Sequence, residues 1–180
     1  MAEEINEIRE RAEEAAHDPA MKPVSLTMAI LAVFVAAVSL LGHRAHTEEL
    51  LFQNKATDNW SYYQAKNIRQ HTYELFLDMV SISDYKNPVS AEAVKEKYRQ
   101  EVARYVREQK EIEDEARKLE KETALAGRRG DRFDLGEVFL EVALVITSIT
   151  LLTRRRHFWG IGLALGLAGL GIAVTGFLIR

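Results

Sequence analysis

Three windows almost free of charge, at roughly 24–42, 135–153 and 158–179, constrain this 180-residue chain more than any other feature in it. Each is close to the ~20 residues that a helix rising ~1.5 Å per residue needs to cross a ~30 Å hydrocarbon core. The expected fold is therefore an all-α membrane protein with three transmembrane helices. Averages conceal this, because 28% charged and 47% hydrophobic residues are the proportions of an ordinary soluble domain. A net charge of -3, with no clustered Lys and Arg among aromatics, argues against a nucleic-acid partner. The chain has no cysteine, which excludes disulfides, thiolate chemistry and Cys-ligated metals.

Residues 1–22 form a polar tail with seven acidic and three basic side chains, expected as a short amphipathic helix and too acidic for a cleaved signal peptide. Pro23 suits the first turn of the next helix, so the first span is placed at 23–42. Along it Ser25, Ala29, Ala32, Ala36 and Ser39 recur at steps of four and three, a small-residue stripe that lets another helix approach closely. The same steps lead to His43 and His46, with Glu49 one turn further on. Such a trio has the residue types of a metal site, but an HxxH pair lacks the ligand set that zinc requires. The expectation is an interfacial polar cluster, with no metal and no other cofactor.

Residues 43–126 read as an extramembrane helical hairpin with a turn near 84–89, where Asn87-Pro88 favours a break and a fresh helix start. In its first arm Ser61, Ala65, Ile68, Thr72, Leu75, Met79 and Ile82 form a seven-residue repeat, the pattern that packs one helix along another. Trp60, Tyr62, Tyr63, Tyr73 and Phe76 widen that face and are assigned to packing. The second arm carries a seam at Ala91, Val94, Tyr98, Val102, Tyr105, Ile112, Ala116, Leu119 and Ala126, with Gln109 and Thr123 as its polar members. Its dense Glu, Lys and Arg are a solvated surface with i,i+4 pairs such as Glu113 with Arg117. The arms are 41 and 39 residues long, about 60 Å each as helices, so they match as an antiparallel, coiled-coil-like pair, with arms packed on each other or on neighbouring subunits.

After a junction at 127–134, the second span at 135–153 contains Glu137 and Glu141, one helical turn apart on one side, with Asp134 a turn earlier. An ionisable group at membrane depth is costly and is a candidate for cation binding or proton transfer. Glu137 also has the plain reading of a side chain reaching the headgroups or an arginine at 128, 129 or 132, which leaves Glu141 as the sharper candidate. The loop at 154–157 holds Arg154, Arg155 and Arg156, a cluster that assigns it and the N-terminus to the cytoplasm and the hairpin to the periplasm. In the third span, 158–179, Gly162, Gly166, Gly169, Ala173 and Gly176 form a second small-residue stripe that includes a GxxxG.

The runs AAHDP, LLGHRAHTEELLFQNKATDNWSYYQAKNIRQHTYEL and FDLGEVFLEVALVITSITLLTRRRHFW, followed by the glycine-rich end, resemble the bacterial membrane proteins grouped as domain of unknown function 4337. The resemblance covers nearly the whole chain. It implies a bacterial inner-membrane protein of three spans with a long helical insert, and it implies no activity.

Two function classes follow. The first is a structural or interaction protein, a homo-oligomer in the lipid bilayer with a projecting helical bundle. The second is an oligomeric cation or proton channel or transporter lined by Glu137 and Glu141, with His43 and His46 near its mouth. An enzyme is not expected, since no phosphate-binding glycine loop, Ser/His/Asp arrangement or complete metal motif occurs.

Overall fold

The computed structural model of the protein describes residues 21–83 and 88–179. The expected N-terminal helix falls on residues 1–20, and most of the expected turn on 84–87, outside that range. Among the described residues the chain is all helical: α1 is Lys22–Ile82, α2 is Pro88–Thr153 and α3 is Arg156–Leu178. Each has an eighteen-residue window apolar enough to cross a membrane, with mean hydropathies of 2.6, 2.0 and 2.1. The stretch 127–134 does not interrupt α2, although its glycines and charges mark it as a junction in the sequence. The chain divides into two compact units, one of Met1–Glu48 with Leu125–Arg180 and the other of Glu49–Ala124.

The first unit is apolar and is held together by the third span's stripe. Gly162, Gly166, Gly169, Ala173 and Gly176 are all buried. A Cβ on Gly169 would stand 2.8 Å from the carbonyl oxygen of Gly136 and 2.9 Å from Cβ of Phe139, while one on Gly136 would meet the Gly169 carbonyl oxygen at 2.9 Å. Here α2 and α3 meet backbone to backbone, which only residues without side chains allow. Elsewhere the stripe accepts large side chains: Leu31 fills the space beside Gly166, and the Phe133 ring that beside Gly176. Phe133 in turn meets Phe177 edge-on at 5.3 Å. Leu31, Val38, Ala45, Phe133, Leu140, Ala143 and Ala173 make up the buried core.

Among the described residues the first span does not pack through its small stripe. Ala29, Ala32 and Ala36 are exposed, and α1 buries Val24, Leu31, Val38 and Ala45 instead. Leu31 fills the space beside Gly166, so α1 meets the α3 stripe through a branched side chain and not through its own small ones. The small stripe of the first span therefore lies outside the packing of this unit.

In the second unit, the polar half of α1 contacts the first half of α2. Trp60 Nε1 donates to Glu120 Oε1 at 2.9 Å, the Lys66 ammonium pairs with the Glu108 carboxylate, and Gln109 Nε2 donates to Gln70 Oε1 at 2.7 Å. The Tyr73 ring lies 5.2 Å from that of Tyr98 and 5.6 Å from that of Tyr105, and Phe76 stacks on Tyr98 at 5.7 Å. From Trp60 to Phe76 along α1 the partner moves from Glu120 back to Tyr98 on α2. On α2, Tyr105, Gln109, Ala116 and Leu119 are buried. The α1 repeat stays open. Ser61, Ala65, Ile68, Thr72, Leu75, Met79 and Ile82 are all exposed, and α1 turns Trp60, Tyr63, Lys66, Gln70 and Tyr73 toward its neighbour. Polar partners on α2 offset the desolvation of Lys66 and Gln70, so the more polar face is the one turned inward.

The Lys66 pair also sets a pH dependence. The hydrogen bond from Lys66 holds the Glu108 carboxyl below its ordinary value, and the same bond raises the Lys66 ammonium above its own. The carboxylate's contribution is complete above its unfolded pKa of about 4.3 and is lost as pH falls through the lowered folded value. That of the ammonium is complete below its unfolded pKa of about 10.4 and is lost as pH rises through the raised one. Helical melts followed by circular dichroism are expected to be flat between these limits and to lose stability below about pH 4. Glu108→Gln should lower the neutral plateau and shrink the acid slope; an unchanged acid slope would assign that slope to other carboxylates.

Candidate functional site

The polar chemistry of the apolar unit collects where α1 and α2 carry a matched pair of motifs. Gly42 and His46 are one turn apart on α1, and Gly130 and Asp134 one turn apart on α2. His46 Nε2 lies 2.9 Å from Asp134 Oδ2. A Cβ on Gly130 would meet the His46 ring at 2.7 Å, and one on Gly42 would meet Asp134 Oδ1 at 2.8 Å. Each helix thus places a glycine beneath the other helix's polar side chain, a reciprocal fit that explains why glycines stand inside two helices despite their ~1 kcal/mol cost. The pair remains open to its surroundings, with side-chain exposures of 40% for His46 and 53% for Asp134. Close by in the unit, Arg129 Nε donates to the carbonyl oxygen of Ile179 at 3.0 Å, satisfying an acceptor just past the end of α3.

The sequence's candidate residues separate. His43 is exposed on the next turn back, and Glu49 belongs to the other unit. Among the described residues no group of three His, Cys, Asp or Glu side chains is placed to hold a metal ion. Glu137 is half-buried and Glu141 exposed. Neither glutamate has a hydrogen-bond or ion-pair partner among the described residues, so the arginines at 128, 129 and 132 do not neutralise them. Val138, Val142 and Val145 stand exposed beside them, which puts the glutamates on an outward apolar face rather than inside the unit.

At the other end of the unit, Trp159 Nε1 donates to Thr27 Oγ1 at 3.2 Å, joining the start of α3 to the start of α1. Arg154, Arg155 and Arg156 are exposed there. Arg154 takes a left-handed conformation, φ 55°, while its amide donates to the Thr150 carbonyl at 2.8 Å and closes α2. The turn between α2 and α3 is two residues long and carries its positive charge outward.

Sequence reasoning flagged His46 and Asp134 separately and missed their pairing. The legible signal was the repeated Gly-x-x-x-polar spacing, at 42–46 and again at 130–134.

Among the described residues these features define an all-helical protein with three helices long and apolar enough to span a membrane and a second, charged helical unit. The chain belongs to the family described as Domain of unknown function (DUF4337), whose model matches residues 20–179. No curated protein and no solved structure matches it.

Proposed function

We propose that this chain is a homo-oligomeric scaffold of a bacterial inner membrane, anchored by three spans and projecting an antiparallel, coiled-coil-like helical hairpin for interaction. The observation that carries the reading is a mismatch between apolarity and burial: the chain covers 17% of the α1 window and 28% of the windows in α2 and α3. Leu26, Val33, Leu167 and Val174 are among the large side chains left open. A surface of that extent is compatible with lipid and with other copies, and incompatible with water. The hairpin is supported by the falling order of partners between Trp60 and Phe76 on α1 and Glu120 and Tyr98 on α2. The Thr27–Trp159 bond groups the start of α1 with the arginine loop, and the loop's charge assigns that end to the cytoplasm. Alternation of spans then leaves residues 49–124 periplasmic. No catalysis, cofactor or nucleic acid belongs to this reading.

Glu141 favours a second reading. It is exposed and unpartnered on an apolar face, so copies arranged about an axis would bring Glu137 and Glu141 together as a ring for cations or protons.

Two experiments test these readings. Because the chain lacks cysteine, Glu92→Cys and Arg155→Cys each report one location to a membrane-impermeant thiol reagent. Glu92→Cys is expected to label in cells with a permeabilised outer membrane and Arg155→Cys only after the inner membrane is opened; the reverse order would overturn the orientation. In liposomes the scaffold predicts no cation or proton flux above empty vesicles. A flux lost in Glu141→Gln would replace the scaffold with the channel.

A further inference from the structure

Among the described residues, the seven-residue repeat on the polar half of α1 has no partner helix within its own chain. We infer that a second copy of the same chain packs on this face, stripe against stripe, along Ala65, Ile68, Thr72, Leu75, Met79 and Ile82. The inference rests on the oligomeric reading above and names the surface that such an oligomer uses.

The spacing is the first argument. Steps alternate strictly between three and four from Ser61 to Ile82, a 3.5-residue period that matches another helix of the same period and drifts off any flat or irregular surface. The second arm of the same chain cannot be that helix. It sits against Trp60, Lys66, Gln70 and Tyr73, and the repeat is left open, with Ile68, Leu75, Met79 and Ile82 exposed by 67%, 64%, 59% and 86%.

Charge is the second argument. No Asp, Glu, Lys or Arg occurs in the stripe, whereas the outward surface of α2 is laced with pairs such as Arg99–Glu92, Arg117–Glu113 and Lys118–Glu115. One arm is thus finished for water and the other is not. In a parallel, in-register pair of copies, Thr72 faces Thr72, Leu75 faces Leu75, and the flanking residues meet as Gln64 with Arg69, His71 with Phe76 and Asp78 with Ser83. No like charges are opposed. Copies inserted the same way in one membrane are parallel, so this register is the one available to them.

Area is the third argument. Tyr62 and Phe76 are exposed at the stripe's edge and raise the large apolar side chains on this face to six per copy. At roughly 60–120 Å² for each buried side chain, two copies remove on the order of 1,000 Å² from water. That reaches the lower bound for a specific interface, about 1,000 Å² in total.

The test uses the full-length chain in detergent micelles and in lipid nanodiscs. Thr72→Cys, in a chain with no other cysteine, is expected to form a covalent dimer under mild oxidation, while Glu92→Cys on the charged arm is expected not to. Adding Ile68→Glu and Leu75→Glu to Thr72→Cys should cut dimer yield at least ten-fold with the helical circular-dichroism signal retained, since both side chains are exposed in the single chain. If the charged variant loses its helical signal, the comparison of Thr72→Cys with Glu92→Cys decides alone. Absence of a Thr72→Cys dimer from a wild-type chain that is oligomeric by light scattering overturns the stripe and leaves the scaffold standing. A wild-type chain that is monomeric at every concentration overturns both.

Discussion

Gly169→Val is expected to destabilise the apolar unit by about 1–3 kcal/mol, while Gly171→Ala, two positions away, leaves it unchanged or stabilises it by up to ~1 kcal/mol. The contrast follows from what each new Cβ meets. At Gly169 it meets the Gly136 carbonyl oxygen and Phe139 Cβ, neither of which is the free end of a flexible side chain, so α2 and α3 must separate. At Gly171 nothing lies within 4 Å, and the substitution only removes glycine's excess backbone freedom. Separation of two apolar helices in lipid loses close contact without exposing surface to water, so the effect reads the contact itself. Unfolding in mixed micelles of increasing denaturing-detergent fraction would measure it. Equal losses in the two variants would show that the third span needs glycine for reasons other than contact with α2.

Tyr105→Ala is the second large effect, expected to remove about 3–5 kcal/mol from the charged unit. Tyr105 is 4% exposed, and its ring takes the Lys66 ammonium at 5.1 Å and lies 5.6 Å from Tyr73. Truncation therefore opens a cavity and removes the ring beneath the ammonium that pairs with Glu108. Tyr105→Phe keeps the ring and should retain most of the stability. Thermal melts at 222 nm would separate the two, and a loss below about 1 kcal/mol for Tyr105→Ala would mean that the arms are not packed through this residue.

The glycines on α3 illustrate where the reading of a helix pattern succeeds. Gly162, Gly166, Gly169, Ala173 and Gly176 were a stripe in the sequence and are a buried stripe in the fold, because only small residues let helix backbones meet in an apolar setting. The same logic placed Ala29, Ala32 and Ala36 at an interface, yet within the chain they face outward. A small stripe states that close approach is possible. It does not state which helix approaches.

The polar contacts of both units show the opposite weakness. Lys66, Gln70 and Trp60 carry no hydrophobic signal strong enough to outrank Ile68 and Leu75, and their partners lie 42, 39 and 60 residues away in the chain. His46 and Asp134 are 88 residues apart. A polar pair is worth burying only when both members are present, and the second member of each pair is invisible until the helices are side by side.

Three apolar windows, the charged stretch between the first two and the family were therefore settled by the sequence alone, because length, composition and order of segments are local properties of the chain. Which face of α1 turns inward was decided only by the tertiary structure. On the membrane-length half, the choice fell to the volumes that α3's glycines leave to be filled by Leu31. On the polar half, it fell to the hydrogen-bonding partners that α2 supplies at Glu108, Gln109 and Glu120. Both are properties of a pair of surfaces, and a single helix cannot specify them.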